Sequence, residues 1–92
     1  MQIEEVFALA KELRDEKERM YGEDTWRELG LRGCSEATYR KAIYLRAQLA
    51  NGGDKEKVRE DLLDLINWAA FSYCLVPEEG DGRLHFNETQ RM

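Results

Sequence analysis

The sequence predicts an all-α fold: a small antiparallel helical bundle of three long helices and one short one, completed by dimerisation. Three observations carry this expectation. Apolar residues recur at three- and four-residue spacings, and no segment sustains a period of two. Glycines and the single proline, Pro77, fall between those periodic stretches and cut the chain into helix-sized pieces. The last long stretch, EDLLDLINWAAFSY, turns from acidic to apolar on one side while its other side is already apolar. A helix apolar all round must be covered on all sides, which one small subunit struggles to do.

The first helix is expected from about Ile3 to Tyr21. Ile3, Val6, Phe7, Ala10, Leu13, Met20 and Tyr21 share one face, interrupted by Lys17, and Gly22 supplies the stop. Its other positions alternate acids with Lys11, Arg14 and Arg19, a solvated and ion-paired face. A short helix follows from about Asp24 to Leu31, capped by Asp24 or Thr25 and closed by Gly30 and Gly33. Ser35 opens a third helix reaching about Ala50, with a narrow apolar stripe of Ala37, Ile43, Ala47 and Ala50 flanked by Tyr44. Asn51-Gly52-Gly53 ends it. Asp54 caps a fourth helix from about Lys55 to Leu75, which Pro77 terminates. Residues 1–76 therefore form the helical domain, and 77–92 read as an irregular or disordered tail in which RLHF is the one strand-like run.

Composition narrows the function. A chain of 92 residues with 36% charged and 42% hydrophobic side chains is one globular domain. A net charge of −5 disfavours a broad surface for DNA, RNA or anionic lipid, though not a small anion site. No apolar run approaches the ~20 residues that span a bilayer. The first residues carry acids where a signal peptide carries bases, so a cytoplasmic location is expected. Cys34 and Cys74 read as reduced thiols, and a lone His85 without a CxxC pair argues against zinc. Neither GxxxxGK[ST] nor GxGxxG occurs, and nothing supports Ser/His/Asp chemistry.

The chemistry-bearing candidates lie on the fourth helix. Glu60, Asp61 and Asp64 sit at three- and four-residue spacings, on neighbouring turns, at the edge of the apolar region. One reading is an ordinary acidic helix start paired with Lys55, Lys57 and Arg59. The other is a site for Mg²⁺ or Mn²⁺, which take oxygen ligands and bridge to phosphates. Lys41 and Arg46 are either solvated cations or phosphate contacts. Tyr21 and Trp26, flanking the Gly22 turn, either pack the end of the bundle or stack on a nucleobase. Asn67, one turn beyond Asp64, either satisfies a buried backbone group or reads a base edge.

EDLLDLINWAAF resembles the last core helix of the MazG-like all-α nucleoside triphosphate pyrophosphohydrolases. KERMYGEDTWRELG, YRKAIYLRAQL and EDLLDLINW, in that order, are closest to the branch called nucleotide modification associated domain 1. The resemblance covers about Glu12 to Leu75. It implies a nucleotide ligand, Mg²⁺ held by Asp61 and Asp64, cleavage between the α and β phosphates, and Glu60 or Glu36 orienting water. One departure bears on turnover. The family's preceding core helix carries an ExxE, whereas here Glu36 is the only acid and Tyr39 stands where the second is expected. Nucleotide binding is therefore expected more readily than hydrolysis, with a non-catalytic dimerisation module as the rival. The expected dimer face is Trp68, Phe71 and Leu75.

Overall fold

The computed structural model describes residues 1–80 and 82–84. It is all-α, as the periodicity predicts, with α1 over Ile3–Tyr21, α2 over Trp26–Ala50 and α3 over Lys55–Cys74. Among the described residues there is no strand, and no helix is long and apolar enough to cross a membrane. Gly82, Arg83 and Leu84 have no regular structure, and the rest of the RLHF run lies outside the described residues.

Helix ends follow local chemistry. The α3 cap is Asp54, whose carboxylate accepts from the Lys57 backbone N–H at 3.0 Å. At the end of α2, Gly52 takes φ +68° and the Gly53 N–H donates to the Gln48 carbonyl at 2.7 Å. That pattern satisfies a carbonyl the helix leaves open, and the left-handed position favours glycine.

The expected short helix is present as a single turn joined end to end to the third helix. Only Gly30 departs from helical geometry, at φ 70° and ψ 176°, and makes a kink. Gly33 does not terminate anything. A Cβ there would stand 2.9 Å from the Leu29 Cβ, so its glycine permits the turn before the kink to pack closely. Ser35 accordingly lies inside α2 rather than at its start.

The central helix is α3. Four-residue linkers, residues 22–25 and 51–54, return each neighbour onto it, with α2 along one side and α1 across the other. The packing reverses ordinary binary patterning. Asp61, Asp64 and Asn67 are the buried residues of α3, while Leu62 and Tyr73 are exposed. On α2 the buried and half-buried line is Cys34, Thr38, Lys41, Leu45 and Gln48. The expected apolar stripe is not the packed face: Ile43, Ala47 and Ala50 are exposed, and only Ala37 is half-buried. Trp68 and Phe71, placed in the expected dimer face, pack within the chain. Phe71 stacks on Trp26 at 4.5 Å between centroids and meets Trp68 edge-on at 5.5 Å.

Candidate functional site: a lysine-bound carboxylate pair beside an aromatic cavity

The polar stripes of α2 and α3 face each other because their charges match. Asp61 is 1% exposed and Asp64 5%, so each carboxylate requires a cation or donor in place of water. The Lys41 ammonium reaches both, at 3.3 Å to Asp61 Oδ1 and 3.3 Å to Asp64 Oδ2. Lys57, one turn earlier on α3, lies 3.3 Å from Asp61 Oδ1. Gln48 Nε2 donates to Asp61 Oδ2. From α1, Lys17 Nζ donates to Asp64 Oδ1 at 3.1 Å. The cluster thereby ties all three helices together.

Protonation follows this geometry. Burial opposes ionisation of Asp61, but Gln48, Lys57 and Lys41 outweigh it and hold the carboxyl below its ordinary value. Burial likewise opposes the charge on Lys41, and the Asp64 and Asp61 carboxylates outweigh it, holding the ammonium above its ordinary value. Both partners are ionised across the neutral range.

Beside Asp64 lies a cavity of about 260 Å³. Trp26, Trp68 and Phe71 form its aromatic wall, Tyr21 lies at its rim, and Arg14 and Lys17 line it from α1. Asn67 also lines it, with its Nδ2 donating to the Ala10 carbonyl at 2.9 Å. That bond is the backbone-satisfying role, and it fixes α1 on α3. The two faces of Trp26 are taken: Phe71 stacks at 4.5 Å and the Arg27 guanidinium lies 4.4 Å from the ring centroid. Its indole N–H, by contrast, is buried with no hydrogen-bond partner among the described residues. Such an orphan donor is uncommon and calls for an acceptor.

The remaining candidates are dispersed. Lys41 and Glu36 line a second groove, which shares Trp68 with the cavity. Glu60 lines a third, between α1 and the first turns of α3. Arg46 is exposed on the outer side of α2. The structure thus brings Asp61, Asp64 and Lys41 together, sets Asn67, Tyr21 and Trp26 around the adjoining cavity, and leaves Glu60, Glu36 and Arg46 apart. Sequence reading missed Arg14, Glu18 and Gln48. Lys17 was visible only as the charge interrupting the apolar face of α1, and that interruption was the signal of its buried partner.

The donor set can be tested against a divalent cation. All four oxygens of Asp61 and Asp64 have an ammonium or amide within 3.3 Å. No group of three His, Cys, Asp or Glu is placed to share an ion among the described residues. In this arrangement the pair does not fit Mg²⁺ or Mn²⁺, because lysine ammoniums hold the positions a metal needs. Comparison with family models, curated proteins and solved structures finds no match.

Proposed function

We propose that the protein binds a nucleotide, its base or sugar against the aromatic wall and its phosphate at Arg14 and Lys17. The observation that carries this is the 260 Å³ cavity lined by the rings of Trp26, Trp68 and Phe71 and, from α1, by the cations Arg14 and Lys17. Aromatic and indole groups accept any base face or edge, and cations favour phosphate. The order of motifs shared with MazG-like proteins supports the same ligand class. Phe71 and Arg27 lie over the Trp26 ring, which leaves Trp68 and Tyr21 as the available rings.

Binding without turnover is the better-supported form of this reading. Pyrophosphate release needs a positioned base and water. Glu60 and Glu36 lie in other grooves, and the acids lining the cavity are Glu18 and the lysine-paired Asp64. The test is calorimetry with nucleoside mono-, di- and triphosphates, each with and without Mg²⁺. Saturable binding weakened about tenfold or more by Arg14→Ala is expected, since a charged hydrogen bond is worth ~1.5–3 kcal/mol. No heat for any nucleotide would refute the reading. Rapid pyrophosphate release that requires Mg²⁺ and Asp64 would replace it with metal-dependent hydrolysis.

A second reading, the non-catalytic dimerisation module, is favoured by one specific observation. Tyr39, Ile43, Leu62 and Tyr73 are large apolar residues exposed by 64%, 42%, 42% and 83%.

A further inference from the structure

The outer side of α2 has a symmetry the monomer does not use. At 100° per residue, positions 35, 36, 39, 43, 46, 47 and 50 fall within about a third of the helix circumference. The residues are Ser35, Glu36, Tyr39, Ile43, Arg46, Ala47 and Ala50, and all seven are exposed. Turn a second copy of this helix antiparallel, with the two-fold axis beside position 41. Tyr39 then opposes Ile43 and Glu36 opposes Arg46, each pair occurring twice. Apolar meets apolar, and acid meets base. No other register about a nearby axis pairs Glu36 with Arg46.

We infer that this face of α2 is an isologous interface with a second copy of the same chain, held by Tyr39–Ile43 and Glu36–Arg46 contacts across the two-fold axis. An isologous contact requires self-complementarity of this kind. Neither Glu36 nor Arg46 makes an ion pair within the chain among the described residues, so both are available to a partner. An interface of standard size takes ~800 Å² from each partner. From Ser35 to Ala50 the helix offers about 24 Å of contact length. Because Glu36 also lines the groove that contains Lys41, the pairing sets the partner's Arg46 at that groove's edge.

Sedimentation of the full chain from nanomolar to micromolar concentration tests this. A reversible dimer is expected. Glu36→Arg alone and Arg46→Glu alone each place like charges in opposition twice and raise the dissociation constant at least about tenfold. The double variant, Glu36→Arg with Arg46→Glu, restores the opposed signs and returns the constant to within about threefold of wild type. Circular dichroism checks that each variant remains helical. If a single variant unfolds because the monomer is unstable, recovery of helix in the double variant reports the same pairing. Monomer at all concentrations overturns the inference. A dimer indifferent to both single reversals, or one in which the double variant is no better than the singles, overturns the register and with it the proposed face.

Discussion

Replacing Lys41 by Met isolates the one cation that both buried carboxylates share. Its side chain is 23% exposed, against 46% for Lys17 and 55% for Lys57. Met keeps the apolar stem and removes the charge, so packing along α2 is preserved. Asp61 and Asp64 would each retain one lysine from the solvent side and lose the one from within. Breaking a buried pair by removing one partner costs ~3–5 kcal/mol. The retained lysines place this case at the lower end, about 3 kcal/mol. Lys17→Ala and Lys57→Ala remove half-solvated partners and are each expected to cost under about 1 kcal/mol. For a domain of this length the whole stability is ~5–14 kcal/mol, so the Lys41 change is a large fraction of it. Urea unfolding at fixed protomer concentration measures all three, because self-association shifts apparent stability. Equal losses for Lys41→Met and Lys17→Ala, or a loss below about 0.5 kcal/mol for Lys41→Met, would show that the carboxylates are solvated and the cluster is not buried.

The pH profile of the same cluster has a definite sign at each end. Asp61 has a lowered pKa when folded, so its contribution is present above the ordinary carboxylate value near ~3.9 and is lost as pH falls through the lower folded value. Lys41 has a raised pKa, so its contribution is complete below about 10.4 and is lost as pH rises through the higher folded value. Stability from these two groups is therefore level across the neutral range, and thermal melts of Lys41→Met should lack the alkaline loss that wild type shows. Asn67→Leu removes the donor to the Ala10 carbonyl and should cost ~1–3 kcal/mol, with amide exchange rising first in α1. Trp26→Phe keeps a ring on Phe71 but deletes an N–H that has no partner, so stability should change by less than ~1 kcal/mol while nucleotide affinity falls, read by calorimetry. Gly30→Ala should cost ~1–3 kcal/mol in a thermal melt although open space surrounds the position, because φ 70° with ψ 176° is nearly exclusive to glycine.

The three helices were legible in the sequence because their boundaries rest on local chemistry: Asp54 as a cap, Gly22 and Gly52 as stops, Pro77 as a terminator. The kinked continuity of α2 was not. A glycine such as Gly33 has the same appearance whether it breaks a helix or permits close approach, and only the position of Leu29 distinguishes them. The change of the acidic stripe of α3 to Trp68 and Phe71 within a turn placed its acids at the edge of a packed region, whereas Asp61 and Asp64 lie buried within it and Glu60 is exposed. The identity of what meets it was hidden, since Lys17, Lys41 and Gln48 come from two other helices at separations of 47, 20 and 13 residues. Charge interrupting an apolar face, as Lys17 does in α1, was the available clue. The same ambiguity misdirected the reading of α2, where apolar content at Ile43, Ala47 and Ala50 indicated a buried face without saying against which body.

These outcomes have one cause. The line of α3 that faces its neighbours is polar and buried at Asp61, Asp64 and Asn67, Lys41 of α2 meets it half-buried, and Tyr39 and Ile43 on the outer side of α2 are exposed. Buried ion pairs are poor sources of stability compared with apolar packing of the same volume, and their best-attested use is to fix register. Lys41 between Asp61 and Asp64 favours one alignment of α2 on α3, since sliding α2 by a turn would take away the one cation both carboxylates share and leave each with a single lysine from α1 or α3. The alignment so fixed presents Tyr39 and Ile43 outward together with Glu36 and Arg46, and it also holds Lys17 at the cavity wall through Asp64. A polar contact that sets register and an exposed Tyr39–Ile43 face are then consequences of one arrangement of charges, and perturbing Lys41 should be felt at both the cavity and the outer face.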